Sequence, residues 1–243
     1  MFYFQTLGVS VMDALRRKTV LSLLALPAGC GLQPLAPLQT RAFVGPASPV
    51  QMRPPALGQS WTYRKLNIYN GEVVAIEREV VASLSPRIIL ERSTPAGMEL
   101  AQEHHLQWGL LLREPHWDMT QNYVDAVPLW PQDLRVGASS QIRTDYRVGD
   151  FSYPFWINVH TEVKAWEKVI LPLGEFNALR IERLIGLKHQ DFSRKSTIRW
   201  EHLWLVPEIG RWVVRQLSGE YTTSGRRGDG REDHFRWELT AFS

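Results

Sequence analysis

The chain has 243 residues, enough for one domain with its own hydrophobic core, and a formal net charge of only +3. With a single cysteine it can form no intrachain disulfide, so burial has to hold the fold together. Residues 1–29 contain three basic residues and one acidic residue, which leaves a net charge of +1 on the rest. Because nucleic-acid binding needs a concentrated basic face, this balance argues against a nucleic-acid partner.

The first predicted element is a bacterial secretory signal. A basic cluster, Arg16-Arg17-Lys18, precedes an uncharged stretch from Thr19 to Ala28. Ten helical residues extend about 15 Å, roughly half the thickness of the hydrocarbon core, so this stretch is too short to span a bilayer. Small residues follow it, as in a peptidase site, and we interpret residues 1–29 as a signal peptide. Met12 is the alternative start, because Asp13 separates the first eleven residues from the basic cluster.

The single cysteine, Cys30, ends the sequence Leu26-Pro27-Ala28-Gly29-Cys30. This sequence resembles the lipobox of bacterial lipoproteins. In that family the cysteine is acylated and becomes the first residue of the mature chain, so the resemblance implies a lipid anchor at Cys30 and the membrane as a partner. By analogy with enterobacterial lipoproteins, Gly31 in place of Asp after the cysteine implies the periplasmic side of the outer membrane. The alternative is that Cys30 is a small buried hydrophobic residue.

Residues 30–58 are predicted to form a linker. Six prolines lie between Gly31 and Gly58. Proline fixes φ and lacks an amide donor, so helix and central strand are both disfavoured here. At about 3.1 Å per residue for polyproline II, such a linker could hold a domain several nanometres above a membrane.

Residues 59–243 are predicted to form an all-β periplasmic domain. Asn70-Gly71 separates two strand-like runs and indicates a hairpin with a type I′ turn. Short strands divided by Pro and Gly favour a single curled antiparallel sheet, barrel-like or half-barrel, with minor helix. We interpret Glu114 to Arg135 as a long loop or short helical crossover. The other strand candidates are 87–93, 100–112, 140–148, 155–171, 176–187, 197–206, 211–222 and 233–242.

Alternation along two of these strands predicts which face is buried. In the last strand Phe235, Trp237 and Leu239 share one face, which we expect to be core. In the strand 197–206, Ile198, Trp200, His202, Trp204 and Val206 share a face opposite Arg199 and Glu201, and the same reasoning predicts that the aromatic face is buried.

The segments "VILPLGEFNALRI" and "WEHLWLVPEIGRWVVRQ" each contain a turn in which Pro ends one strand and Gly permits the reversal. Their layout resembles that of bacterial periplasmic and lipoprotein β-families (DUF3108-like), over Ile170 to Gln216. The resemblance implies a curved antiparallel sheet and supplies no catalytic residues.

The histidines give only weak chemical signals. His104 and His105 are adjacent, so on a strand they point to opposite faces, and no metal-ligand spacing such as HExxH is present. We therefore expect no metal and no cofactor. His202 lies between Trp200 and Trp204 and is interpreted either as a satisfied core histidine or as part of a binding site.

Ten tryptophans are many for this length, and their first interpretation is that they fill the core. The alternative is that some of them line a concave ligand-binding face. The tentative ligand-binding residues are Trp117, Trp130, Trp156, Trp200, His202 and Trp204.

These observations lead to one main hypothesis and two alternatives. The main hypothesis is a membrane-anchored envelope lipoprotein whose non-enzymatic β-domain binds an apolar or lipid ligand, or an envelope protein. The first alternative is an envelope hydrolase that uses His202 or His105 with carboxylates. The second is a structural assembly factor.

Overall fold

The structure, a computed structural model, describes residues 34–149, 151–223 and 229–243. The predicted signal peptide and Cys30 lie outside these residues. The described chain consists of strands, turns and loops and contains no helix, which confirms the all-β prediction. No helix in this part of the chain is therefore long and apolar enough to cross a membrane.

Fourteen strands make up the fold. In chain order they are β1 (Thr40–Ala42), β2 (Ser60–Asn67), β3 (Val73–Ser83), β4 (Ile88–Ser93), β5 (Glu99–Gln107), β6 (Leu110–Glu114), β7 (Gln121–Pro128), β8 (Ser139–Val148), β9 (Phe155–Leu171), β10 (Gly174–Leu187), β11 (Arg194–Val206), β12 (Arg211–Thr223), β13 (Asp229–Arg231) and β14 (Phe235–Phe242).

The strands form one antiparallel sheet that closes on itself. Strands β2 to β12 follow one another as neighbours, and β14 joins β12 to β2. Pairing of β8 with β9 is part of the same ring, so twelve strands form a barrel, while β1 adds to β9 and β13 adds to β12. Closure leaves the twelve strands of the ring without a free edge, the arrangement by which β-proteins avoid edge-to-edge aggregation.

Some element boundaries differ from the prediction. The predicted strand 100–112 is a hairpin, β5 and β6, which turns at Gly109. Gly109 has φ +88° and lies under the indole of Trp130, so neither its backbone conformation nor the space around it suits a side chain. The predicted loop or helical crossover at 114–135 contains strand β7. In the hairpin between β2 and β3 only Gly71 has positive φ, so the turn is not type I′.

The described part of the proline-rich segment lies against the barrel. The structure adds one strand, β1, to the segment predicted as linker. Further along, Leu35 N donates to Ile68 O at 3.0 Å, and Arg53 N donates to Pro207 O at 3.0 Å. These bonds fall at separate points of the barrel, so residues 34–58 follow its outer surface.

The inner and outer faces of β11 are opposite to the prediction. Arg199 and Glu201 point inward and are 1% and 0% exposed, whereas Ile198 and Trp200 are 41% and 37% exposed on the outer wall. On β14 the expected core face, represented by Trp237, is buried as predicted. An eight-stranded barrel is just filled by its side chains, so twelve strands enclose a wider interior. Long Arg, Glu and Trp side chains can cross that width.

Candidate functional site

The interior of the barrel contains a connected set of buried charged side chains, here called the interior network. Every member is at most 6% exposed. Its members are Glu77, Glu79, Arg92, Glu103, His105, Glu114, His116, Arg183, Glu201, Arg211 and Arg215.

Two arginines on β12 connect the interior network. Arg211 donates to Glu79 Oε2 at 2.7 Å and to Glu103 Oε1 at 2.8 Å. Arg215 donates to Glu114 Oε2 at 2.8 Å and to Glu201, which also accepts from Arg183. Such bonds offset the desolvation that a buried charge would otherwise suffer.

Two carboxylates of the interior network, Glu114 and Glu103, are held in the charged form by their partners. Burial alone would raise the pKa of the Glu114 carboxyl, but Arg215 and the hydrogen bond with His116 outweigh burial and hold that pKa well below its usual value. Burial would also raise the pKa of Glu103, but Arg211 and His105 outweigh burial and lower that pKa. Burial disfavours the charge of Arg215, yet Glu114 and Glu201 raise its pKa.

One group in the interior network has the composition of a metal site. Ligand atoms of Glu79, Glu103 and His116 lie within 4.8 Å of one another. The guanidinium of Arg211 already contacts both carboxylates and occupies the position of a cation between them. These residues therefore form an ion-pair cluster, and the arginine leaves a metal ion poorly accommodated.

A cleft of about 460 Å³ opens at one end of the barrel, where β2 ends and β11 begins. We call it the mouth cleft. The β6–β7 loop forms one side of it, and residues 231–233, before β14, form another. Its lining residues are Lys65, His116, Trp117, Asp118, Arg194, Arg199, Leu217, Arg231, Glu232, Asp233 and Phe235. Because His116 also belongs to the interior network, the network and the mouth cleft adjoin.

Arg199 is the central charge of the mouth cleft. Its Nε donates to Glu232 Oε2 at 2.6 Å, and its Nη2 donates to Asp118 Oδ1 at 3.1 Å. Glu232 also accepts from Arg194 Nη1 at 2.7 Å. Gly219 is the cross-strand partner of Arg199, and a Cβ on it would lie 2.3 Å from Glu232 Oε2. The missing side chain of Gly219 therefore makes the space in which Glu232 reaches Arg199.

Aromatic rings and a second cation complete the mouth cleft. The indole of Trp117 lies 4.2 Å from the guanidinium carbon of Arg199, measured to the ring centroid. Lys65 Nζ lies 4.1 Å from the ring centroid of Phe235. Burial lowers the pKa of Lys65 from its usual value. The mouth cleft thus combines cations with apolar ring faces.

Asp118, one of the carboxylates that line the mouth cleft, is held in its charged form. Burial acts to raise the pKa of Asp118, but the hydrogen bond with His189 and the charge of Arg199 outweigh it and lower the pKa to about 2. Asp118 is therefore an anion at neutral pH and serves as a fixed partner of Arg199.

The residues predicted to bind a ligand occupy three different environments. Trp117 lines the mouth cleft. Trp130 is 4% exposed and packs edge-on against Trp108, so it belongs to the core. Trp156 is exposed on the outer wall, at 42%. The structure does not bring these three tryptophans together.

The remaining predicted residues lie on the outer wall of β11. Trp200 and His202 line a depression of about 250 Å³, together with Leu184 and charged residues of β9 and β10. His202 Nε2 lies 4.0 Å from Glu182 Oε1, and burial lowers the pKa of His202. Trp204 is 7% exposed and donates its Nε1–H to Glu167 Oε2 at 2.8 Å. His105, the other predicted histidine, is 0% exposed in the interior network.

Of the eleven residues that line the mouth cleft, only Trp117 was predicted to bind a ligand. Those that sequence reasoning missed include Lys65, Arg194, Arg199 and Glu232. The signal that could have found Arg199 is its spacing. Arg199 and Glu201 are two residues apart on a strand, as are Glu77 and Glu79, and Glu103 and His105. Charged residues at every second position of several strands are typical of a barrel with a polar interior, although each strand alone resembles a solvated face.

Comparison with known proteins gives the fold alone. No protein-family profile matches the chain, and no curated protein matches its sequence. A protein of Parabacteroides distasonis ATCC 8503, inferred to be a lipoprotein, is similar in structure, with 13% identity over 81% of this chain and 100% of its own and a TM-score of 0.50. A protein of Bacteroides fragilis NCTC 9343, inferred to be exported and described as having a YmcC-like fold, is similar with the same identity and coverage and a TM-score of 0.49. The DUF3108-like resemblance stays a prediction.

Proposed function

We propose that this chain is a lipoprotein of the bacterial envelope, anchored through acylated Cys30 on the periplasmic side of the outer membrane. The observation that carries this proposal is the sequence Leu26-Pro27-Ala28-Gly29-Cys30 after a basic and then an apolar stretch. The Parabacteroides protein with a similar fold, itself inferred to be a lipoprotein, is consistent with such an anchor.

We infer that the barrel is a non-enzymatic binding module and that its ligand or partner binds at the mouth cleft. The interior positions are occupied by the interior network and by large rings such as Trp61, Trp212 and Trp237. The mouth cleft, by contrast, is open and has both charged and aromatic walls. A ligand with a polar group and an apolar part would match both kinds of wall.

Metabolic labelling with palmitate tests the anchor. We expect the wild-type chain to take up label and to fractionate with the outer membrane. Cys30→Ser should lose the label and leave the membrane fraction, because no other cysteine can be acylated. As a matched variant, Gly31→Asp should retain the label and move to the inner membrane.

Mass spectrometry of the processed N-terminus can contradict the proposed anchor. A mature wild-type chain that begins at any residue other than Cys30, or that carries no acyl groups, would overturn the anchor.

The two alternatives receive less support from the geometry. A hydrolase would need an accessible histidine, and His105 has no exposed surface. His202 is accessible beside Glu182, but the residues lining its depression include no Ser, Thr or Cys that could act as a nucleophile. Activity of the wild type against esters, glycans or peptides that is lost in His202→Ala would favour the hydrolase. The assembly-factor hypothesis predicts crosslinks to neighbouring envelope proteins in cells.

A further inference from the structure

We propose that the mouth cleft binds an oxyanion, a phosphate or carboxylate group, carried on an apolar body. The inference rests on the proposed binding role of the mouth cleft and names the chemical class of its ligand. Three observations carry it: the unused hydrogen-bonding capacity of Arg199, the unpaired ammonium of Lys65, and the aromatic faces beside both.

Arg199 has one nitrogen without a hydrogen-bond partner. Its side chain is 1% exposed, and its Nε and Nη2 are engaged by Glu232 and Asp118. Among the described residues, Nη1 has no hydrogen-bond partner. A buried donor without a partner is destabilising, and an oxyanion supplies the acceptor that Nη1 lacks.

Lys65 is the second unsatisfied cation. Within the described part of the chain, no carboxylate oxygen lies within 4.0 Å of its Nζ. Its Nζ lies over the rings of Phe235 and Trp237, at 4.1 and 4.8 Å from their centroids. Burial lowers the pKa of Lys65, and the carboxylates of Glu77 and Asp233, which act to raise it, do not outweigh burial.

The charges that line the mouth cleft favour an anion over a cation. Four cationic side chains and three carboxylates face it. Two of the three carboxylates, Glu232 and Asp118, are engaged by Arg194 and Arg199. Donor capacity toward a ligand remains on Nη1 of Arg199 and on the ammonium of Lys65. A bound cation would compete with arginines that are already in place.

The apolar body is inferred from the walls and the volume. Trp117, Leu217 and Phe235 line the mouth cleft beside the cations. A volume of about 460 Å³ exceeds what a phosphate ion needs and is in the range of small-molecule sites. A lipid headgroup with part of its acyl chains and a soluble organic phosphate or acid share this chemistry.

A series of ligands that differ only in the head group tests the class. The full-length chain in a non-ionic detergent, which carries no phosphate or carboxylate, would be titrated by calorimetry with hexyl phosphate, hexanoate, hexanol and hexylamine. We expect the two anions to bind at least about 10-fold more tightly than the alcohol and the amine, because a charge-assisted hydrogen bond is about twice as strong as a neutral one. Inorganic phosphate should bind more weakly than hexyl phosphate.

Two variants and a control locate the site. Lys65→Met should weaken hexyl phosphate binding about 10-fold, and Arg199→Lys should weaken it while keeping the formal charge. Lys164→Met is the matched control, because Lys164 lies on the outer wall and pairs with Glu162 at 2.8 Å. It should bind like wild type. Unchanged circular dichroism in Lys65→Met would show that the loss comes from the site, even if Arg199→Lys folds poorly.

Further ligands distinguish the two possible sources of the oxyanion, a lipid headgroup and a soluble organic anion. Short-chain phosphatidylglycerol that binds more tightly than hexyl phosphate would identify a lipid headgroup, and the reverse order would identify a soluble organic anion. Equal binding of the four hexyl compounds, no binding of any, or unchanged binding in Lys65→Met would overturn the proposal. Palmitate labelling is independent of this result, so the anchor and the ligand class can fail separately.

Discussion

The interior network and the mouth cleft contain the same residue types but use their arginines differently. Each of the three guanidinium nitrogens of Arg215 lies within hydrogen-bond distance of a buried partner: Glu201, His116 or Glu114. Arg199, which also points inward from a barrel strand, has two of its nitrogens engaged and Nη1 without a partner among the described residues. Arg183 of the interior network also has two nitrogens without a partner among the described residues, so an unpartnered nitrogen does not by itself mark a binding site. Arg199 differs because it lines the open mouth cleft.

The two regions also differ in their contact with water. The carboxylates that Arg215 contacts are 0% exposed, whereas the side chain of Asp118, a partner of Arg199, is 45% exposed. Loss of an arginine from the interior network leaves its carboxylates in the core. At the mouth cleft, solvent can reach at least one of them. We therefore expect the interior network to determine stability and the mouth cleft to determine binding.

The largest effect is expected from Arg215→Met. This change leaves Glu114 buried without an arginine partner and leaves Glu201 with Arg183 alone, and it should lower the free energy of unfolding by about 3–5 kcal/mol. Urea unfolding followed by tryptophan fluorescence measures it. Arg64→Met is the control and should cost about 1 kcal/mol or less, because Glu238 keeps Arg236 at 2.8 Å. Equal losses in both variants would contradict the proposed difference between interior and surface.

An intermediate effect is expected from Gly219→Ala, at the junction of the two regions. The new methyl group would collide with the Glu232 carboxylate, which both Arg194 and Arg199 hold in place, and should cost about 1–3 kcal/mol. Gly186→Ala is the matched control in β10, since a Cβ there meets no atom within 4 Å and φ is not positive. It should leave the urea midpoint unchanged or raise it slightly.

A smaller, pH-dependent effect is expected from Asp118. Its folded pKa of about 2 lies below the usual 3.8, so its contribution to stability is complete above about pH 4 and is lost as the pH falls through about 2. After allowance for its solvent exposure, the contribution is about 1 kcal/mol. Asp118→Asn should flatten the stability profile between pH 4 and pH 2. A profile parallel to that of wild type would indicate that Arg199 does not depend on this carboxylate.

The smallest effect is expected at the surface pair of Asp133 and Arg135. Arg135 Nη2 lies 2.5 Å from Asp133 Oδ2, but both side chains are largely exposed. Water and salt screen such a pair, so Asp133→Asn should not change the urea midpoint measurably. A clear loss would show that short distance alone, without burial, stabilises ion pairs in this protein.

The sequence predicted the strands better than the site. Alternation and turn residues located most barrel strands, including the long β9, because period-two patterning and Pro or Gly punctuation are local properties. The short β7 was missed, since Pro115, Pro128 and Pro131 in and around it favoured a loop. Of the predicted ligand-binding residues, only Trp117 lies in the mouth cleft. The residues beside it come from strands and loops far apart in the chain.

The amino-acid sequence by itself determined that this chain forms antiparallel strands, where most of them turn, and that its described fold contains no disulfide. On strands such as β11, only the tertiary structure decided which face is inside. Alternation separates two faces but does not say which one meets water when both carry long side chains, as on β11 with Trp200 on one face and Arg199 on the other. Closure of the twelve-stranded barrel determined that the charged face of β11 is inside. It brought acids and arginines from distant strands close enough to neutralise one another in the interior.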